Sequence, residues 1–490
     1  MQFFTPAFGF FYWVGISHFI NLLFISLLFR SGLEILSAHP RLYWNDDCRL
    51  GSEWLKFTRK VMPAEGLWTA ADEQEPFSSW LALPGHMNLG MGRHWHFFSI
   101  IFWVLNGLVY VLLLFAIGGW RRLLPTSWSI VPAALRTMWI YAHFQLPPPG
   151  HPYNPIQQLA YAGVVFVMAP LMIATGAAMS PAVAARFPRY IRLFGGRQSA
   201  RSIHFLGLVA MCLFTVVHVV LVVIEDFPAN MSYIIHGRHA FEGISVAIGI
   251  AGLIVVVIVH VWATQASLLD PKFVQRTLGV VIEPVRRNLL HHVRSRQAYP
   301  RSAVSAYFRI NGRPPESVEY QQMARANFET WRLEVGGLVE NPFALTLAEL
   351  RAMRAQTQIT LHHCIQGWSG VAQWTGVAMT DILARCRPLA NACYLVFRSW
   401  QEPEPGLAYY EVIDLELAGH AQTILAYAMN DAPLPVTHGA PCRLRVETQL
   451  GFKMVKWVRS IELVEDYRKL GEGQGGYRED VQFYGPEAGI

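Results

Sequence analysis

The chain has 490 residues, of which 53% are hydrophobic and only 15% are charged, a balance typical of membrane proteins. Its formal net charge of +6 lies largely in loops between apolar runs, which indicates membrane orientation rather than nucleic-acid binding. Its six cysteines include no Cys-x-x-Cys pair, which argues against a disulfide scaffold or a zinc site.

Five apolar segments are long enough to cross a bilayer, which takes roughly 20 residues. They predict an all-α five-helix transmembrane bundle within residues 1–268, and no cleavable signal or twin-arginine leader is recognised before the first of them. A polar stretch at 269–303 is interpreted as a juxtamembrane linker that touches lipid headgroups. The five predicted helices span about 11–36, 96–118, 157–179, 203–224 and 244–266.

The distribution of lysine and arginine among the loops predicts the orientation of the bundle. One group comprises Arg30, Arg41, Arg49, Lys56, Arg59, Lys60, Arg93, Arg186, Arg189, Arg192, Arg197 and Arg201. The opposite side carries Arg121, Arg122, Arg136 and Arg238. Twelve against four places the first group in the cytoplasm, with the N-terminus outside and the region after the fifth helix inside, in a bacterial inner membrane.

Four histidines in the apolar helices form two pairs at matching depth. His204 and His218 are 14 residues apart on one helix, so they share a face and are separated by roughly 21 Å along the axis. His18 lies level with His218, and His96 lies level with His204. Two such pairs are what two bis-histidine haems require, whereas a single intramembrane histidine would more often pack between helices.

Two further histidines leave alternatives open. His94 competes with His96 at the same membrane edge, and His260 has no evident partner, so it has a packing role or contacts a quinone or a haem propionate. The stretches "GRHWHFFSIIFWVLNGLVY", "YNPIQQLAYAGVV", "FGGRQSARSIHFLG" and "FTVVHVV" resemble the bacterial cytochrome b561 and nickel-hydrogenase cytochrome b family over roughly residues 8–266. The resemblance implies that His18, His96, His204 and His218 ligate two b haems, with a quinone bound near one of them.

The remaining 304–490 has the composition of a soluble domain. "WRLEVGGLVENPFALTLAELRAM" predicts a strand, a turn, a second strand and a short helix opened by Thr346, with Glu349 three residues on as a capping box. The later alternation of apolar and polar residues around Pro and Gly turns is typical of mixed β structure. A Gly-x-Gly-x-x-Gly strand–helix motif and a Walker loop are both missing, so nicotinamide and ATP chemistry have no support.

The stretch "LHHCIQGWSG" contains Cys364, for which the residues alone leave three interpretations. A buried core cysteine is the commonest fate of a free thiol. A nucleophile would need a base within hydrogen-bond reach, which His362 and His363 do not settle. A thiolate ligand would suit a polarizable metal, and nearby cations would favour the thiolate form.

A second resemblance favours the metal-ligand interpretation of Cys364. "RINGRPP", "WRLEVGGLVENP", "LHHCIQGWSGVAQWTGV" and "GFKMVKWVRSIELV" make residues 304–465 similar to the sulfite-oxidase-like, mixed α+β molybdopterin domain. The resemblance implies that Cys364 ligates molybdenum and is the catalytic centre. It implies cofactor contacts for Asn311, His438, Arg443 and Lys456, and weaker ones for His362, His420 and Lys453. Cys386, Cys393 and Cys442 match no ligand position and are interpreted as core cysteines.

One departure bears on the substrate. Sulfite oxidases carry an oxyanion-binding arginine five residues after the molybdenum cysteine, and Ser369 stands there in this chain. The sequence therefore predicts a membrane-anchored molybdenum oxidoreductase that exchanges electrons between a small substrate and the quinone pool through two b haems, and that forms a homodimer. One alternative is a quinone-linked cytochrome b with a degenerate, sensing or structural molybdopterin domain. Hydrolysis by a nucleophilic cysteine lacks a base.

Overall fold

The computed structural model describes residues 12–148, 153–237, 242–290, 297–485 and 488–489. Residue 11 of the first predicted helix and residues 291–296 of the predicted linker lie outside these ranges. The predicted fold class is confirmed, because apolar helices are followed by a domain of two β-sheets and short helices.

Among the described residues, five helices are long and apolar enough to cross a membrane. The third of them spans Pro155–Met179 and contains a π-helical turn at Val164–Met168. Short helices between the spans and after the last one complete this region. Its elements are α1 (Tyr12–Ser37), β1 (Arg41–Leu42), β2 (Leu55–Lys56), α2 (Leu89–Ala116), α3 (Trp120–Leu123), α4 (Ile130–Ala142), α5 (Pro155–Gly163), α6 (Ala169–Met179), α7 (Pro181–Arg186), α8 (Pro188–Arg192), α9 (Arg197–His236), α10 (Glu242–Leu269) and α11 (Pro271–Leu290).

The structure places several helix boundaries away from the predicted ones, and α9 also begins six residues early, at Arg197. Helix α2 begins seven residues early, at Leu89, because the Asn88 side chain accepts a hydrogen bond from the Met91 amide and caps it. Helix α9 runs on to His236 but is kinked at Asp226, whose φ of −169° and ψ of 88° lie outside the helical region. Pro228 follows two residues later and cannot donate a backbone hydrogen bond, so a straight helix cannot continue through this point.

The first part of the predicted juxtamembrane linker forms the helix α11, which the sequence analysis did not predict. Val274, Leu278 and Ile282 are buried at intervals of four residues and therefore lie on one face of this helix. That face packs against a cluster that includes Met91 and Trp95 of α2. The apolar spacing is hidden in the sequence by the polar and basic residues of the opposite face.

The soluble domain is built on two five-stranded sheets. One has the order β10-β9-β6-β5, with β11 also paired to β9, and the other has the order β4-β3-β12-β7-β8. Its elements are α12 (Val318–Arg325), β3 (Arg332–Gly337), β4 (Phe343–Thr346), α13 (Leu347–Ala352), β5 (Ala355–His363), β6 (Ser369–Ala378), α14 (Met379–Cys386), β7 (Tyr394–Ser399), β8 (Tyr410–Asp414), α15 (Leu415–Ala418), β9 (Thr423–Met429), β10 (Ala432–Pro433), β11 (Arg443–Val446), β12 (Val458–Val464) and α16 (Tyr477–Gln482).

The predicted strand–turn–strand–helix is confirmed as β3, β4 and α13. Thr346 and Glu349 form the reciprocal capping box at the start of α13. One continuous core joins the sheets around fully buried aromatic side chains, among them Trp331, Trp374 and Trp457.

The two regions meet along a seam at one end of the bundle. The loop between α1 and α2 packs there, with Tyr43 and Cys48 in one buried cluster with Cys364 and Trp368 of the soluble domain. The first residues of α9 reach the same seam: the Gln198 side-chain amide donates to the Gly367 carbonyl over 2.9 Å. The membrane helices therefore support the turn that carries Cys364.

Candidate functional site

His18 on α1 and His218 on α9 face one another within the bundle. Their ring centroids are 6.1 Å apart and their planes are inclined by 64°. Phe214, one turn before His218, stacks on it at 5.7 Å with an angle of 8°. The Nδ1 atom of His218 lies 3.3 Å from the hydroxyl of Tyr161 on α5. Three helices thus fix the orientation of the His218 ring.

His96 on α2 and His204 on α9 form the second pair and are close enough to interact electrostatically. The Nδ1 atom of His96 lies 3.1 Å from the hydroxyl oxygen of Ser31, and that of His204 lies 2.9 Å from the hydroxyl oxygen of Thr175. Each hydroxyl donates its own proton to a carbonyl one turn earlier on its helix, at 2.7 Å in both cases. The hydroxyl oxygens must therefore accept from the imidazoles.

This hydrogen-bond direction fixes the tautomer of both rings. Because the Nδ1 atoms of His96 and His204 carry the protons, their Nε2 atoms keep free lone pairs. A histidine that ligates a metal through one nitrogen usually donates from the other in this way. Gly32 and Gly176 leave room beside the rings, since an added Cβ would lie 3.8 Å from Cε1 of His96 and 3.5 Å from Cε1 of His204.

The two open cases of the sequence resolve differently. The Nδ1 atom of His94 donates to the Gly90 carbonyl over 2.9 Å, so this ring is held at the start of α2. Both nitrogens of His260 are engaged: Nδ1 accepts from Arg30 over 2.9 Å, and Nε2 donates to Ser26 over 2.8 Å. An arginine only donates, which leaves His260 without a lone pair for a metal.

In the soluble domain, Cys364 lies at the turn that follows β5. Its amide donates to the Trp368 carbonyl over 3.0 Å, and Gly367, with a φ of +109°, closes the turn. The Asn311 side-chain amide lies 3.4 Å from its Sγ. Burial raises the pKa of the Cys364 thiol to about 11. Three cations, Arg309, Arg478 and Lys456, oppose this rise in pKa.

A cavity opens beside this turn. Among the described residues that line it, none is an aspartate or a glutamate, whereas four are cations. The polar lining residues are Gln74, Arg309, Asn311, His362, Gln366, Gln401, Tyr409, His438, Arg443, Lys456, Arg478 and Gln482. Such a surface attracts an anionic group.

In the part of the chain that the structure describes, the buried Arg443 and Lys456 form no direct ion pair with a carboxylate. Burial, together with the neighbouring Arg445, holds the pKa of Arg443 well below its ordinary value, and its Nε is buried without a hydrogen-bond partner. Burial and the charge of Arg443 also lower the pKa of Lys456. The Lys456 ammonium donates to the Asn311 carbonyl and, over 3.1 Å, to the Thr437 carbonyl. A bound anion would relieve the repulsion between these cations.

Most residues predicted to contact the cofactor meet at this cavity, but two do not. Asn311, His362, His438, Arg443 and Lys456 line it, with the Nδ1 atom of His362 accepting from Arg445 over 3.0 Å.

Lys453 does not line the cavity, because its ammonium is buried in ion pairs with Glu479 and, at 3.1 Å, with Glu411. His420 also does not line the cavity; its Nδ1 accepts from the Gln422 amide over 3.2 Å in the turn after α15. Cys386 and Cys442 are core cysteines as predicted, whereas Cys393 is exposed.

The sequence analysis missed residues that the tertiary structure brings to the site. Arg309 and Arg478 line the cavity, and the loop between α1 and α2 contributes Ala71, Gln74 and Met87. Arg309 stands two residues before Asn311 in "FRING". Its closeness to the segment predicted to contact the cofactor could have indicated that it also lies at the site. Arg478 and the loop residues had no such signal, because they are distant in sequence from every motif.

Arg197, the first residue of α9, joins the two sites. Its guanidinium donates to the Ser369 hydroxyl and, over 3.1 Å, to Nδ1 of His363, the residue before Cys364. His204 lies seven residues further along the same helix, roughly 10 Å away at 1.5 Å per residue. One helix therefore connects the Cys364 turn with a histidine of the second pair.

Comparison with known proteins identifies two regions of the chain. Residues 12–237 match prokaryotic cytochrome b561, and residues 320–470 match the oxidoreductase molybdopterin binding domain. A putative protein-methionine-sulfoxide reductase subunit YedZ1 of Azospira oryzae is 34% identical over 37% of this chain and 63% of its own length.

The catalytic subunits MsrP of protein-methionine-sulfoxide reductases from Xanthomonas axonopodis pv. citri and Xanthomonas campestris pv. campestris are each 35% identical. Each match covers 28% of this chain and 45% of the relative, so the chain spans less than two thirds of any of these three proteins. The crystal structure of the sulfane dehydrogenase SoxCD from Paracoccus pantotrophus is 22% identical over 31% of this chain and 40% of that chain, with a TM-score of 0.27, too small a likeness to add to the assignment.

Proposed function

The chain joins a prokaryotic cytochrome b561 region to a molybdopterin-binding oxidoreductase domain, and we propose that it exchanges electrons between a small substrate at molybdenum and the membrane quinone pool through two b haems. The observation that carries the proposal is the connection between the sites. The turn that carries Cys364 lies beside a cation-lined cavity, and His363, directly before that cysteine, is hydrogen-bonded to Arg197 on the helix that carries His204. Two redox groups on one connected scaffold suit electron exchange between them.

The cavity fits a molybdenum–pterin cofactor. The Cys364 thiol would be the metal ligand, since thiolates suit soft metals and a coordinating thiol is deprotonated outright. Arg443 and Lys456 would hold the phosphate with their buried charges, and His438 would contact it. When bound, such a cofactor supplies two-electron oxygen-atom transfer. The protein contributes the ligand, the compensating charge and a cavity shared by cofactor and substrate.

The histidine pairs fit haem iron. A metal bonded at about 2 Å to the nitrogens of two facing imidazoles separates the ring centres by roughly 6 Å. His18 and His218 have a separation of 6.1 Å. In the other pair, Ser31 and Thr175 hold the Nδ1 protons so that both Nε2 lone pairs remain for iron. We assign His96 and His204 to the haem nearer the soluble domain, and His18 and His218 to the farther one.

For the orientation, we propose that the soluble domain lies in the cytoplasm and the N-terminus in the periplasm. The proposal is supported by the seam, which joins the soluble domain to the end of the bundle assigned twelve of the sixteen basic residues counted in the sequence. Protease added to intact spheroplasts should spare the soluble domain, and should cut it only after the inner membrane is opened. Cleavage in intact spheroplasts would reverse the orientation.

Metal content tests the function most directly. The purified full-length protein should contain two b haems and one molybdenum per chain, and quinol should reduce the haems in its reduced-minus-oxidised spectrum. Protein-bound methionine sulfoxide, the substrate named for the relatives, belongs among the compounds tried as oxidants of the reduced protein. Haem without molybdenum would favour the alternative of a cytochrome b with a structural or sensing soluble domain. One haem per chain would refute the four-ligand assignment.

A further inference from the structure

The short helices α7 and α8 connect the third span, which ends at Met179, to α9, which begins at Arg197. Because the first residues of α9 lie at the seam, this connection lies at the bundle end that meets the soluble domain. A connection between two spans runs at the level of the lipid headgroups. Its sequence, "SPAVAARFPRYIRLFGG", contains three arginines and no aspartate or glutamate, so it carries net positive charge.

One face of this connection is packed into the protein. Ala184 and Ile191 are buried in a cluster with residues of α6 and α9. At its end, the Arg197 guanidinium donates to the Met179 carbonyl over 2.8 Å and closes the segment. The opposite face is therefore presented outward by a fixed backbone.

The outward face combines positive charge with apolar surface. Arg189 and Arg192 are three residues apart on α8, so they are neighbours on one side of the helix, and both are exposed. Phe187 and Leu193, which flank α8, are 58% and 80% exposed. Arginines beside exposed apolar side chains match the boundary between the headgroups and the acyl chains of a lipid leaflet. An open pocket at the start of α8 is lined by Arg186, Phe187, Pro188, Arg189 and Tyr190.

The two exposed arginines have no partner of their own within the part of the chain that the structure describes. Arg189 and Arg192 form no hydrogen bond or ion pair there. The Asp46 carboxylate lies beside Gly196, at the far end of the connection, and accepts from the Gln198 amide over 2.8 Å. The forked donors of both arginines are thus available to an external anion, and a phosphate matches them.

A hydrogen bond links this surface to the second histidine pair. The Tyr190 hydroxyl donates to the Ala174 carbonyl over 2.7 Å. Ala174 directly precedes Thr175, whose hydroxyl oxygen accepts the Nδ1 proton of His204. A ligand that holds α8 in place therefore also holds the turn of α6 that orients the His204 ring.

We propose that Arg189 and Arg192 bind the headgroup phosphate of an anionic phospholipid. Its acyl chains cover Phe187 and Leu193, and the bound lipid stabilises the haem that His204 ligates. The charge of the surface favours an anionic over a zwitterionic lipid. A lipid is favoured over a soluble phosphate, because only a lipid brings a phosphate and apolar chains together. The effect on haem rests on the proposed function, whereas the lipid site does not.

Native mass spectrometry measures the binding of single lipids to the full chain in detergent, loaded with its cofactors. The protein is titrated with phosphatidylglycerol and with phosphatidylcholine, and the wild type should bind phosphatidylglycerol more tightly. The double variant Arg189→Gln/Arg192→Gln should bind phosphatidylglycerol about tenfold or more weakly than the wild type. The control Arg351→Gln/Arg354→Gln removes two exposed arginines with the same spacing from the soluble domain and should bind like the wild type.

Transfer of haem to apomyoglobin tests the effect on the histidine pair. With phosphatidylglycerol bound, the phase of haem release that is missing from His204→Ala should be about tenfold slower than with phosphatidylcholine, because an outer hydrogen bond at a metal ligand is steadied. Tyr190→Phe keeps both arginines and removes the hydrogen bond to Ala174. It should bind phosphatidylglycerol like the wild type, but its haem release should no longer depend on the lipid.

Four results would overturn the lipid site. The wild type could bind phosphatidylcholine as tightly as phosphatidylglycerol, or the double variant could bind phosphatidylglycerol as tightly as the wild type. Inorganic phosphate at equal concentration could displace the lipid, which would make the ligand a soluble phosphate. A dimer that only the double variant loses would show that this face binds a second copy of the chain.

The effect on haem can fail separately from the site. Equal haem release in the two lipids would overturn that effect and leave the site standing. A wild type without haem would refute the proposed function, while the lipid titration would still decide the site. Thermal unfolding midpoints identify a misfolded double variant, and the single variants Arg189→Gln and Arg192→Gln then decide.

Discussion

The two regions of this molecule prepare their redox sites by opposite electrostatic means. In the membrane region, the polar partners of His96 and His204 are neutral hydroxyls, Ser31 and Thr175. In the soluble domain, the cavity beside Cys364 concentrates cations and excludes carboxylates among its described lining residues. A site in hydrocarbon is tuned by hydrogen-bond direction, because an unpaired charge there costs much free energy. A site at the edge of a soluble domain can instead concentrate positive charge that attracts an anionic group.

The largest expected effect is confined to the soluble domain. Cys364→Ser should abolish substrate turnover and lower the molybdenum content, because a serine oxygen is a poorer ligand for a soft metal. The haem spectrum should stay unchanged. The measurements are elemental analysis, dye-linked turnover and the reduced-minus-oxidised spectrum. Cys393→Ser is the control, since Cys393 is exposed and outside the cavity. Full turnover in Cys364→Ser would show that the soluble domain takes no part in catalysis.

The next largest effect is expected at the two histidine pairs of the membrane region. His18→Ala and His204→Ala should each remove one of the two haems, seen as half the haem per chain in a pyridine haemochrome assay. Turnover with dyes that reach molybdenum directly should persist in both, while quinol-linked turnover should be lost. His94→Ala should keep both haems, because His96 is the residue that we assign as the partner of His204. Equal haem loss in His94→Ala would reopen the choice between His94 and His96.

A smaller effect is expected where the regions meet. Arg197→Gln removes hydrogen bonds from Arg197 to His363 and Ser369. Electron exchange between haem and molybdenum, followed by stopped-flow spectroscopy, should slow by about tenfold, the size typical for losing an outer hydrogen bond at a metal site. Arg192→Gln is the control, because Arg192 is exposed at the end of α8, the helix directly before α9. Unchanged exchange in Arg197→Gln would show that electrons cross the seam elsewhere.

The smallest effect concerns a single hydroxyl. Thr175→Val removes the acceptor for the Nδ1 proton of His204 and should weaken haem binding about tenfold without abolishing it. Thr215→Val is a matched control, since the Thr215 hydroxyl donates to the Met211 carbonyl over 2.8 Å. Haem affinity is measured by titrating the apoprotein in detergent. Equal losses in both variants would indicate a general effect on helix packing.

The sequence predictions were accurate where the interacting residues are close in sequence, and they failed where those residues are distant. The capping box of Thr346 and Glu349 was predictable because both partners lie within one helical turn. Helix α11 was missed because its apolar face is defined only by its packing on α2. Lys453 sits in a motif of cofactor-contacting residues, yet two glutamates distant in sequence, Glu411 and Glu479, capture its charge.

By itself, the sequence determined the five apolar spans, the depth-matched histidines and the motifs around Cys364. These depend on local periodicity and composition, which need no knowledge of distant partners. Only the tertiary structure decided which tautomers the histidines adopt, that His260 has both nitrogens engaged, and that Arg478 faces the cavity. Each of these depends on hydrogen bonds or charges contributed by elements far apart in the chain, and such contacts exist only after the chain has folded.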